Sequence, residues 1–182
     1  MPADTTSMLQ PWSNFYVIVG SSAGALTGLQ FVVIALVAQA RAAGTMQEIR
    51  AFGSPTVVHF CAALLISAIL SAPWHTLSNV GLVLGICGAA GVIYALSIIR
   101  HASRTTGYRP DPEDWAWYVV LPLGAYLALL VSGIEFASHP TTSLFEIAAI
   151  SLVLLLIGIH NAWDTVTYVA VKHLSRPDVR EN

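Results

Sequence analysis

Five stretches of this chain are apolar for the length that a single helix needs to cross a bilayer, and that pattern constrains the fold more than any motif. Crossing about 30 Å of hydrocarbon takes roughly 20 helical residues at about 1.5 Å each. The stretches run from about Asn14 to Val37, Thr56 to Ala72, Asn79 to Ile99, Trp117 to Phe136 and Ser143 to Val169, the second being the shortest. Of the 182 residues, 55 % are hydrophobic and 10 % charged, whereas a soluble domain carries about 25 % charged residues. The mean hydropathy is +0.69. A soluble fold of this size leaves too much surface in water to hide such a composition. Backbone groups within lipid must be satisfied inside each segment, so the spans are helices. The predicted fold is all-α, a single integral membrane bundle of five transmembrane helices. Disordered and disulfide-rich secreted classes are excluded by the low charge and by the presence of only two cysteines. A net charge of -2 gives no footprint for nucleic acid.

The basic residues set an orientation. Arg41 and Arg50 fall between the first and second spans, Arg100, Arg104 and Arg109 between the third and fourth, and Lys172, Arg176 and Arg180 after the fifth. In a five-span chain all of these lie on one side, and basic connections stay cytoplasmic. The expected topology is N-terminus outside and C-terminus inside, in a cytoplasmic (inner) membrane. Aromatic anchors agree, with Trp12 and Trp74 at the outer boundary and Trp115, Trp117 and Trp163 at the inner one. The first span reads as a permanent anchor: Met1 to Pro11 holds no Lys or Arg, and the apolar run is too long for a signal core, although Ala38-Gln39-Ala40 resembles a cleavage site.

Small residues mark helix-packing faces. Gly20, Gly24 and Gly28 recur every four residues in the first span, and Gly81, Gly85 and Ala89 do so in the third. Such a face lets a second backbone approach where lipid supplies no hydrophobic drive. Two uses are open, packing of the first span on the third, or a homo-oligomer seam. Pro122 is expected to kink the fourth span without ending it.

Polar residues within spans are costly and are candidates for function. Helical rise places Gln30, His59, His160, Asn161 and Asp164 in the inner third of three different spans, with His160 and Asp164 one turn apart on one face. Four readings of this layer stand side by side. It lines an ion or proton path, since histidine changes charge near neutral pH. It holds a divalent metal through His59, His160 and Asp164. It ligates a haem through the two histidines, with Arg41 or Arg100 near the propionates. Or its side chains hydrogen-bond across helices and hold the bundle in register. At the outer face Glu135, Glu146, His75 and His139 form a second group, either a cation-attracting vestibule or ordinary solvated helix ends. Cys61 and Cys87 differ in depth on the order of 10 Å, too far for a disulfide, and are expected to be free thiols in the core. Pro110-Asp111-Pro112-Glu113-Asp114 reads as a helix start, with carboxylates near the positive end of the dipole. No phosphate loop, nucleophile triad or CxxC pair occurs in a usable context, so enzymatic chemistry is not expected.

Phe15-Tyr16, the run Gly20-Ser21-Ser22-Ala23-Gly24-Ala25-Leu26-Thr27-Gly28-Leu29 and the exit Phe31-Val32-Val33 resemble the first helix of a group of small bacterial multi-pass membrane proteins. Most of that group are uncharacterised, and some are labelled modulators of the FtsH protease. The resemblance covers about the first quarter of the chain and carries no functional residue with it; Gln30 stands where the pattern expects an apolar residue. The function expected from the residues is a channel-like or transport-like role in a self-associating membrane protein. The alternatives are a regulatory or assembly subunit that contacts another membrane protein, and a metal- or haem-binding protein.

Overall fold

The computed structural model describes residues 5–40, 46–102 and 112–174, with side-chain environments for 7–35, 56–100, 113 and 115–167. Arg41, Arg104, Arg109, Arg176, Arg180, Pro110 and Asp111 lie outside the described residues, as do the side chains of Arg50, Asp114 and Lys172.

The described chain is helical and contains no strand. A short helix α1 (Thr5–Leu9) and a 3-10 turn (Gln10–Trp12) lead into α2 (Ser13–Ala40). Then come α3 (Met46–Ser71), α4 (Leu77–Ala102), the four-residue α5 (Pro112–Trp115), α6 (Leu121–Glu135) and α7 (Pro140–Leu174). Four stretches, Ser7–Ala35, Leu77–Arg100, Ala116–Glu135 and Pro140–Thr167, are long and apolar enough to cross a membrane. The fifth apolar stretch, Thr56–Ser71, is shorter and forms the second half of α3. Large apolar side chains point outward all along these helices. Ile18, Leu82, Ile93, Ile134 and Phe145 are each more than 60 % exposed, a surface that water would penalise and acyl chains would not. The protein is an all-helical bundle built to sit in lipid.

The helices associate as two pairs joined by α7. α2 packs along α3 and α4 along α6, while α7 lies against α3, α6 and α2. The α3–α4 contact is slight, although those two helices are joined by the tight turn at residues 72–76. In that turn Trp74 donates its indole N–H to the Ile69 carbonyl at 2.5 Å. The α6–α7 turn is closed by the His139 amide on the Glu135 carbonyl at 2.9 Å and the Ser143 amide on the His139 carbonyl at 3.0 Å.

Glycine determines the α4–α6 pair. A Cβ at Gly81 would stand 2.6 Å from the Gly133 carbonyl oxygen, and one at Gly88 would stand 2.5 Å from the Leu130 amide nitrogen. One at Gly133 would meet the Gly85 amide nitrogen at 2.5 Å, and one at Gly91 would enter the Tyr126 ring. The small face of the third span is therefore filled by the fourth span and not by the first. α2 and α4 do not form a packed pair among the described residues, which corrects the first-on-third pairing read from the glycine pattern. On α2, Gly20 sits against Ser67, with a Cβ there 3.0 Å from the Ser67 Cβ, whereas Gly24 and Gly28 have nothing within 4 Å.

Pro122 does not break its helix. The chain ahead of it widens into a π-turn over Ala116–Val120, where the Leu121 amide bonds the Ala116 carbonyl. The wider turn reorganises the ladder just where proline supplies no N–H. Both cysteines are free; Cys61 is exposed and Cys87 partly buried. Cys61 therefore faces outward and not into the core.

Candidate functional site: a buried polar layer

Among the described residues, eight polar side chains are buried: Gln30, Thr56, His59, Ser67, Ser132, Ser143, Ser151 and Asn161. Two of the serines return their hydroxyls to their own helix, Ser67 to the Ala63 carbonyl at 2.8 Å and Ser151 to the Ile147 carbonyl at 2.7 Å. Such bonds need no tertiary partner. Gln30, Thr56, His59 and Asn161 are different, because helix register brings them to one level.

Three contacts fix that register. Gly20 meets Ser67 between α2 and α3. Gln30 is ten residues beyond Gly20 and Val57 ten before Ser67, so on antiparallel helices both steps move about 15 Å in the same direction. Gly158 meets Phe60 between α7 and α3. Asn161 lies three beyond and Val57 three before, about 4.5 Å in the same direction. Independently, the rings of Trp12 and Phe145 lie 4.7 Å apart, and counting along parallel α2 and α7 from that contact puts Gln30 and Asn161 within about 3 Å in height. Gln30 and Asn161 are thus level with Val57 and flanked by Thr56 and His59.

The layer is buried and incompletely bonded. Gln30 is 4 % exposed, His59 1 %, and Thr56 and Asn161 0 %. Nδ1 of His59 and the Tyr126 hydroxyl of α6 share a hydrogen bond of 3.0 Å, and the two rings lie 5.8 Å apart. Nε2 of Gln30 and both Nδ2 and Oδ1 of Asn161 have no hydrogen-bond partner. An amide left unpaired in an apolar interior costs several kcal/mol. The residues in this layer are all uncharged amides, hydroxyls and an imidazole, with no carboxylate or basic side chain among the buried residues described.

His160 and Asp164 belong to a neighbouring cluster on the α6-facing side of α7. The His160 ring is stacked on Trp117 with centroids 3.9 Å apart and planes 6° from parallel. Its Nε2 lies 3.8 Å from Oε1 of Glu113, and its Nδ1 has no partner. Tyr118 donates its hydroxyl to Oδ2 of Asp164 at 2.9 Å. The π-turn places Trp117 and Tyr118 side by side against one turn of α7, so this cluster is built by the same widening that accommodates Pro122. The inner residues read from the sequence therefore divide: Gln30, His59 and Asn161 enter the interior, and His160 and Asp164 line its edge.

That division bears on ligation. His59 and His160 lie against different aromatic partners, and no group of three or more His, Cys, Asp and Glu side chains able to hold a metal occurs among the described residues. His59, His160 and Asp164 do not form such a set; the His59 ring lies against Tyr126 and the His160 ring against Trp117. At the opposite end of the bundle Glu135, Glu146, His75 and His139 are exposed. Glu146 accepts the Ser132 hydroxyl at 2.6 Å, and these four form no such metal-holding group either.

Sequence reading passed over Tyr126 and Thr56. Tyr126 had a usable signal, since a phenol in the middle of an apolar span needs a partner for its hydroxyl. Thr56 had none, because threonine in a span ordinarily bonds its own backbone. The chain matches no family model, no curated protein and no solved structure.

Proposed function

We propose that the protein is a multi-pass protein of the cytoplasmic membrane with a transport-like role, in which the Gln30–Thr56–His59–Asn161 layer is the station that a polar species occupies on its way through the bundle. The observation that supports this reading is the set of unpartnered buried atoms on Gln30 and Asn161. Two amides held in a helical interior without partners are unfavourable unless something polar visits them. The two-pair architecture is consistent with such a role. The α2–α3 and α4–α6 pairs touch little directly, so one pair can shift against the other without either being unpacked. The topology that goes with this reading has the N-terminus outside, with the layer nearer the cytoplasm. Self-association belongs to the same proposal, since Gly24 and Gly28 leave a small-residue strip of α2 uncovered.

Water access tests it. With Cys61 and Cys87 replaced by alanine, Gln30→Cys and Asn161→Cys are probed in native membranes with a small water-soluble thiol reagent. Modification of both, at rates well above a cysteine placed at lipid-facing Ile93, is the expected result. If neither reacts from either face, the layer never hydrates and serves only to hold helices in register.

A further inference from the structure

The chemistry of the layer narrows what it can take. Its wholly buried atoms without a hydrogen-bond partner include both kinds, the donor nitrogens Gln30 Nε2 and Asn161 Nδ2 and the acceptor oxygen Asn161 Oδ1. A metal cation or ammonium would need several converging oxygens, ordinarily carboxylates among them, to replace its hydration, and no carboxylate is among the buried residues described. A small anion would find two donors, but it would also face Asn161 Oδ1 and no compensating positive side chain among the buried residues. An uncompensated ion in so apolar an interior is strongly disfavoured. A neutral molecule that both donates and accepts hydrogen bonds can pair with either kind of atom and brings no charge.

We propose that the Gln30–Asn161 pair is a selectivity point for a small uncharged solute that both donates and accepts hydrogen bonds, the class to which water, ammonia and urea belong. The inference rests on the transport reading above and deepens it by naming the substrate class. Selectivity follows from solvation exchange: the neutral solute trades water partners for amide partners of equal kind, whereas an ion trades full hydration for too few ligands. His59 is engaged at Nδ1 by Tyr126, so that ring nitrogen is not offered to the solute.

Permeability of proteoliposomes decides the class on the parent protein alone. Osmotic shrinkage and urea efflux are followed by stopped-flow light scattering, and K⁺, Cl⁻ and H⁺ fluxes by dyes. The expected result is an increase in water or urea permeability over protein-free vesicles, with no increase for the three ions. Gln30→Leu and Asn161→Leu, checked for retained helicity and monodispersity, are expected to lower that permeability about tenfold, the factor for losing one buried hydrogen-bond partner. An ion flux that disappears in these variants overturns the solute class while leaving the transport reading intact. No increase for any species, together with unreactive cysteines at 30 and 161, removes both. An increase that survives both substitutions shows that the solute passes elsewhere and overturns the assignment to this pair.

Discussion

His59 and Tyr126 meet across the bundle from two helix pairs that otherwise touch little: Nδ1 lies 3.0 Å from the phenolic oxygen, α3 supplying one and α6 the other. Tyr126 is also the residue whose ring occupies the space above Gly91 of α4. One side chain thus locks α6 to α4 by shape and to α3 by a hydrogen bond. Removing the hydroxyl by Tyr126→Phe keeps the shape and strands a buried ring nitrogen. We expect a loss of about 1–3 kcal/mol in unfolding free energy in detergent, and a double variant with His59→Phe that is less destabilised than the sum of the singles. Full additivity would show that the pair is not coupled.

The glycine crossing of α4 and α6 makes a sharper contrast. Gly133→Leu drives a side chain into the Gly85 backbone, which cannot move aside as a flexible side chain would. It is expected to cost about 3 kcal/mol or more or to abolish folding, the upper end of overpacking effects. Gly24→Ala and Gly28→Ala meet nothing within 4 Å and are expected to leave monomer stability within about 0.5 kcal/mol. If the α2 strip is a self-association seam, Gly24→Leu lowers the oligomer mass in mild detergent while the thermal midpoint of the monomer stays put. An unchanged mass removes α2 from the seam.

These two results also show what was legible in the sequence. The helical, apolar character of the bundle could be read from apolar runs because lipid permits little besides helices; four of the five expected spans are long and apolar enough to cross, and Thr56–Ser71 is shorter. A common level for Gln30, His59 and Asn161 was expected from rise per residue alone. Azimuth did not follow. Whether His160 faces Asn161's neighbours or Trp117 depends on a π-turn on another helix, and no periodicity within α7 encodes that. Pairing of glycine faces was equally hidden, since Gly20-Gly24-Gly28 and Gly81-Gly85 look alike in sequence and only the partners' own small residues, such as Gly133, distinguish them.

The stacked His160–Trp117 pair is expected to couple by about 0.5–1.5 kcal/mol, the range for parallel aromatic contacts. Single substitutions to alanine and the double variant, compared by chemical unfolding, measure it. A coupling near zero would mean that the edge cluster is held by the Tyr118–Asp164 bond and not by the stack.

Topology is testable without any assumption about transport. Reporter fusions at the two termini are expected to score on opposite faces, with the C-terminal one cytoplasmic, because every basic residue then lies inside. Both termini on one face would require an even number of spans and would dismantle the shared depth of Gln30 and Asn161.

Helix α7 follows the other long helices and contributes Asn161 to the polar layer. Until it enters, Gln30 on α2 has no amide at its own height, and the two earlier hairpins have only the His59–Tyr126 bridge and a slight α3–α4 contact between them. Docking of α7 therefore does two things at once: it joins the α2–α3 and α4–α6 pairs and completes the polar interior, and without it the two pairs would have no common centre.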